Sequence, residues 1–204
     1  MSSSEKDLRN IHPDNITDNR VAALASHFAA IMRLVGEDLR RPGLEKTPER
    51  AAKALLHITE GYGKDADAVM EEAIFDHAGS QMIIVKDIEF YSTCEHHILP
   101  FFGRVSIGYI PDGKMVGLSK LARLVNVYAR RLQVQERMTR QICQCVMRTL
   151  KAKGVMVVVN GQHLCMKMRG VEKQDSSTTT VHYEGAFAED SRLRHEFLES
   201  LKAM

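Results

Sequence analysis

Apolar positions in the first third of the chain recur every three or four residues. Val21, Leu24, Ala25, Phe28, Ile31, Met32 and Val35 mark one face of a helix, with Asp18 placed to cap it. Arg41-Pro42-Gly43 interrupts the pattern. Thr47-Pro48-Glu49 reads as a cap followed by proline at the first helical position, and predicts a second helix to about Tyr62. A short helical segment is expected around Ala66 to Ile74. From about residue 82 the period changes. Met82 to Phe90 is rich in β-formers, and Phe101 to Ile110 alternates Val105, Ile107 and Tyr109 against Arg104, Ser106 and Gly108. Two helices are predicted next, Ser119 to Arg130 and Val134 to Lys151. Strands at Val155 to Asn160, Gln162 to Met168 and Thr178 to Tyr183 follow, and a helix from Ser191 closes the chain. Strands, two helices, then strands argue an α+β fold with an antiparallel sheet. The pattern divides the chain into a loose polar segment (1–17), a helical region (18–80) and a mixed domain (81–204).

Composition narrows the class. Of 204 residues 44% are apolar and 26% charged, an ordinary globular mix. Lys plus Arg number 28 against 26 Asp plus Glu, and a net charge of +2 argues against a nucleic-acid partner. The N-terminus lacks the basic and apolar regions of a signal peptide, and the longest aliphatic run, Val155 to Val159, is a strand's length and not a membrane span. A cytoplasmic location with reduced thiols is expected. Four cysteines are too sparse for a disulfide scaffold, which leaves free thiols, a redox site or a metal site.

Cys94-Glu95-His96-His97 lies between two predicted strands, so Cys94 and His97 can face one ion from a turn. Cys165 in His163-Leu164-Cys165 is the third candidate, on a strand where residues 163 and 165 share a face. Thiolate with imidazole favours zinc, and three protein ligands are the pattern of a catalytic zinc. The competing reading is that the thiols are buried core groups. Cys143 and Cys145 are two apart on a helix and cannot chelate together; Cys145 falls on the apolar stripe, and Cys143 has no assigned role. Gly108 to Met115 resembles a phosphate loop but has Met where Ser or Thr would hold Mg²⁺, so a hairpin turn at Asp112-Gly113 is the better reading. Ser119 starts a helix whose exposed amides favour anions, and Lys120 and Arg123 share a face of it, where they can grip a phosphate or simply be solvated. Glu136 at the start of the next helix is either ordinary dipole chemistry or an acceptor for a guanine-like edge.

Taken together, Ser92 to His97, Gly117-Leu118-Ser119-Lys120, Gln133-Val134-Gln135-Glu136-Arg137, His163-Leu164-Cys165 and Ser177-Thr178-Thr179-Thr180 resemble GTP cyclohydrolase I, over residues from about 18 to the end. The resemblance implies the tunnelling fold, with strands, two helices and strands per subunit, and conversion of GTP to formate and 7,8-dihydroneopterin triphosphate, the entry to folate or tetrahydrobiopterin. It implies Zn²⁺ on Cys94, His97 and Cys165, with attack of the activated water on guanine C8. It implies proton transfer by His96 and His163, and ribose opening assisted by Ser119. Guanine would be held by Glu136 with Gln135 nearby, and the triphosphate by Lys120, Arg123, Arg169 and Arg50. A decamer of two pentamers with interfacial active sites is also implied. Leu132 stands where some members have proline, outside the chemistry. Two readings compete: another enzyme of the same fold, such as a pterin synthase or a nitrile reductase, and a non-enzymatic module stapled by a closed four-ligand zinc.

Overall fold

The computed structural model describes residues 18–202, so the expectations for residues 1–17 and for the Asp18 cap lie outside the described residues. The chain divides into a unit ending at Gly63 and a unit beginning at Lys64. In the first, helices α1 (Asp18–Leu34) and α2 (Thr47–Ile58) pack on each other. Pro48 stands in the first turn of α2, one residue later than expected, because Thr47 is not the cap but the first helical residue: Lys46 precedes the helix, and the Thr47 hydroxyl donates to the Gly43 carbonyl at 3.2 Å. The helix also ends at Ile58, short of Tyr62. Thr59 turns its hydroxyl back onto the Leu55 carbonyl at 2.7 Å, and the Gly61-Tyr62-Gly63 stretch tightens into a 3₁₀ turn over Glu60–Gly63.

The second unit is built on a five-stranded sheet. Strands β2 (Ile83–Cys94), β3 (Pro100–Ile110), β6 (Gly154–His163) and β7 (Thr178–Gly185) are antiparallel neighbours. A two-residue strand, β5 (Leu132–Gln133), pairs parallel to the end of β2, giving the order β5-β2-β3-β6-β7. The sheet is therefore not purely antiparallel. A separate ladder joins β1 (Ile74–Asp76) to β4 (Lys114–Val116). The chain reaches β4 from β3 through a bend at Asp112-Gly113, where Gly113 takes a φ of 78°. The phosphate-loop-like segment is thus a bend, but not the expected hairpin: β3 and β4 do not pair and belong to different sheets.

Helices α4 (Leu118–Ala129) and α5 (Gln135–Leu150) cover one face of the sheet. Alternation along the strands sends Phe101, Val105, Ile107 and Tyr109 of β3, with Val155, Val157 and Val159 of β6, to that face, against Leu121, Leu124, Met138 and Ile142. The result is the predicted order of strands, two helices and strands. A short helix, α3 (Ala66–Glu71), packs on α4 and α5 after Asp65 caps it, accepting from the amides of Asp67 at 2.9 Å and Ala68 at 3.3 Å. It stops before the expected Ile74, which begins β1. The opposite sheet face is partly covered by α7 (Ala186–Glu189) and α8 (Ser191–Lys202), whose Phe187 and Phe197 bury Ile110 and Met156. The two strands expected over 155–168 are one strand to His163, followed by a single helical turn, α6 (Leu164–Lys167). Among the described residues, no helix is long and apolar enough to cross a membrane.

Candidate metal centre and its surroundings

The β2–β3 connection folds tightly around one residue. The Cys94 amide donates to the Leu99 carbonyl at 2.8 Å, and the Cys94 carbonyl accepts from Ile98 at 2.8 Å and His97 at 3.4 Å. Closing this turn puts Ile98 at a φ of 55°, a left-handed conformation that a β-branched side chain rarely adopts. Cys94 is the last residue of β2, and the turn brings the His97 ring back over it. Across the sheet, α6 carries Cys165. It shares no strand face with His163; the helical turn, instead, swings it inward. The ligand atoms of Cys94, His97 and Cys165 all lie within 4.8 Å of one another.

This donor set fits zinc. The Cys94 Sγ to His97 Nδ1 separation is 3.9 Å; zinc–sulfur and zinc–nitrogen bonds at a tetrahedral angle span about 3.6 Å. Burial, and then the neighbouring Cys94 sulfur, hold the Cys165 thiol above its ordinary range. A coordinated cation reverses that balance, because a metal-bound thiol loses its proton. Among the described residues no fourth His, Cys, Asp or Glu joins the group, which leaves a position open, as in catalytic zinc sites. His96 lies close, with Nδ1 3.8 Å from the same sulfur and its ring edge-on to His97, yet it stays outside the group and largely exposed.

The start of α5 holds this turn in place. Arg137 pairs with the Glu95 carboxylate and donates through Nε to Gln133 Oε1 at 3.0 Å. The Gln133 carbonyl accepts from the Glu95 amide at 3.1 Å, and its side-chain amide donates to Tyr128 O and Gln141 Oε1, each at 3.0 Å. Sequence reasoning gave Glu95, Gln133 and Arg137 no role, since their partners are 42 and 38 positions away or lie in a neighbouring loop.

Gln135, at the start of α5, is buried and fully engaged with its neighbours. Its amide nitrogen donates to the carbonyls of Val159 at 3.2 Å and Thr178 at 2.9 Å and faces Thr180 Oγ1 at 3.1 Å. Its oxygen lies 2.8 Å from His163 Nε2. With that amide fixed as donor elsewhere, Gln135 Oε1 is an acceptor and His163 Nε2 is the donor. The His163 ring lies flat on Phe101, with centroids 4.6 Å apart and planes 4° apart. Burial lowers its pKa, against a smaller opposing pull from Glu136, so the ring is neutral near pH 7 and its Nδ1 carries the lone pair.

The basic residues divide. Lys120, in the first turn of α4, is nearly buried and pairs with Glu72, which also lies 3.8 Å from Arg123. Ser119 is exposed beside Lys120, and Glu136 is exposed at the start of α5. Arg169 is exposed beyond α6, and its charge reaches Cys165. Arg50 is exposed on α2, in the other unit. The remaining cysteines are not metal ligands. Cys143 Sγ faces the Val155 carbonyl at 3.6 Å; Cys145 packs as expected and also donates to Asp67 Oδ1 at 3.2 Å.

Comparison with known proteins agrees with this geometry. The family profile described as GTP cyclohydrolase I matches residues 24–202. A GTP cyclohydrolase 1 of Porphyromonas gingivalis is 55% identical over 86% of this chain and 90% of its own length. The Bacteroides thetaiotaomicron protein of the same name is 50% identical over 94% of this chain and 97% of its own. That of Deinococcus radiodurans is 51% identical over 93% and 86%. Matches of this extent and identity leave one assignment: the chain belongs to the GTP cyclohydrolase I family.

Proposed function

We infer that this chain hydrolyses GTP to formate and 7,8-dihydroneopterin triphosphate, the first step toward folate or tetrahydrobiopterin. The observation that carries the reading is the Cys94, His97 and Cys165 group with an open position, in a chain of this family. When bound there, zinc makes a water molecule acidic enough, with a pKa of about 7, to serve as the nucleophile toward guanine C8.

The side chains supply the rest. Burial keeps His163 neutral and Gln135 fixes its tautomer, so its Nδ1 accepts a proton without first losing one. His96, exposed on the metal-binding turn, is the second proton carrier as the imidazole ring opens and formate leaves. Glu136 offers two acceptor oxygens to the N1–H and 2-amino donors of guanine. Gln135 serves His163 and not the purine, because its amide is already engaged on β6, β7 and that ring. Ser119 assists ribose opening before the sugar carbons enter the pterin ring. Lys120, Arg123 and Arg169 hold the triphosphate, a handle remote from the reacting atoms that positions the purine.

The open edges of the sheet support assembly. Within the described residues β7 has no strand on its outer side, and β2 is paired there only at Thr93 and Cys94. Edge pairing between subunits would close these ladders into a ring, in keeping with a decamer of two pentamers.

The direct test supplies zinc-loaded protein with GTP. Formate release and a fluorescent pterin after oxidation are expected, and a chelator should abolish both. Metal-replete protein that yields neither overturns the assignment.

A further inference from the structure

Glu72 follows α3 and caps its C-terminus. Its carboxylate oxygen accepts from Lys120 Nζ and lies 3.8 Å from Arg123 Nη1. The exposures are unequal: the Lys120 side chain is 10% accessible, that of Glu72 57% and that of Arg123 63%. A nearly buried ammonium therefore has a mostly exposed carboxylate as its counter-charge. Lys120 needs a partner, since a desolvated unpaired charge is costly. Glu72 does not need Lys120 to the same degree, because water reaches it. Among the described residues its carboxylate has no other side-chain partner, so nothing else ties it down.

These are also two of the cations read above as the triphosphate clamp. A polyphosphate and a carboxylate cannot both sit on Lys120 without like charges facing each other. We propose that Glu72 is an internal competitor for the triphosphate, neutralising Lys120 and Arg123 in the free enzyme and yielding them when a polyphosphate binds. The proposal rests on the reading that Lys120 and Arg123 hold the triphosphate.

Two consequences follow from linkage. Every anion that enters the clamp loses affinity by the fraction of time the clamp is open, so weakly held anions such as orthophosphate are shut out while a triphosphate with several contacts still binds. The product keeps the same triphosphate handle as the substrate. Glu72 therefore also competes against product and aids its release.

The experiment measures binding of inorganic tripolyphosphate to the zinc-loaded full-length enzyme by calorimetry, in wild type, Glu72→Gln, Lys120→Ala and the double variant. The glutamine keeps the shape and an acceptor oxygen but removes the charge, and circular dichroism verifies the fold. Glu72→Gln is expected to tighten tripolyphosphate at least about fivefold, a normal size for site-to-site coupling. It should lower KM for GTP and tighten product inhibition by a similar factor, without raising kcat. In the Lys120→Ala background the gain should shrink, because the competitor has lost its main partner. Unchanged or weaker binding in Glu72→Gln, with Lys120→Ala still weakening it, overturns the proposal and leaves the clamp reading standing; Glu72 would then merely position Lys120. If Lys120→Ala leaves tripolyphosphate binding unchanged, the clamp reading itself fails, and the proposal with it.

Discussion

His163 depends on a residue that has no side chain. A Cβ on Gly161 would collide with the oxygen of Gln135, the atom that accepts from His163. Gly161→Ala is therefore expected to displace the amide and free the ring, lowering kcat roughly 100-fold, the lower end of what a positioned acid–base group contributes. KM for GTP and zinc content should stay near wild type, since neither Glu136 nor the three ligands touch Gly161. Steady-state kinetics with metal analysis checks this, and a normal kcat would show that His163 works without Gln135. The cysteines sort by the same local physics. Burial pushes both Cys143 and Cys145 up to about 12, so neither offers a thiolate near neutral pH. A thiol reagent at pH 8 should find no fast thiol in zinc-loaded native protein. After chelation it should find Cys165, the one partly exposed thiol, before the others, and all four in denaturant. Fast modification of Cys143 or Cys145 in folded protein would contradict the burial argument.

At the scale of elements, α3 is the piece with least support of its own. A six-residue helix is too short to stand alone, and it is fixed at both ends by side chains. Asp65 caps it, while Asp67 reaches α5, pairing with Arg148 and accepting from Cys145. Arg148 holds the Asp67 carboxyl below its ordinary 3.8, against a smaller effect of burial. The folded-state pKa is thus below the unfolded one. The stabilisation is present above about pH 3.8 and is lost as pH falls through the folded value. Asp67→Asn should lower the melting temperature at pH 7, and its deficit relative to wild type should shrink below pH 4, as followed by thermal unfolding. A deficit independent of pH would mean that packing, not charge, links α3 to α5. Because α3 delivers Glu72 to Lys120, the same variant reports on how far that element sets the anion site.

For the molecule as a whole, the metal ligands come from sequence positions 71 apart, on the turn after β2 and on α6 beyond β6. Zinc therefore closes a long loop across the sheet, and removing it should lower the melting temperature as well as activity. The proposed assembly is tested at this scale too. Sedimentation is expected to show a species of ten times the 23.0 kDa subunit mass, with activity falling on dilution into smaller forms. A fully active monomer would contradict shared sites at subunit boundaries.

The amino-acid sequence by itself determined the α+β class, the order of the main strands and helices, and the pairing of Cys94 with His97. Each is written in short-range pattern: a period of two in β3, a period near 3.6 in α5, and Cys-x-x-His within one turn. The reading of 155–168 as two strands shows the limit of that pattern. The pattern places strands at Val155 to Asn160 and Gln162 to Met168, and only the pairing of β6 with β3, which runs through to His163 opposite Phe101, decides that one strand continues to His163 and that Cys165 turns inward after it. The tertiary structure alone decided three further matters. It turned Gln135 toward His163, tied Arg137 to Glu95, and set Glu72 on Lys120 from 48 positions away. Hydrogen-bond and charge partners distant in sequence leave no periodic trace, because what joins them is the geometry of the packed sheet and helices and not the spacing of residues along the chain.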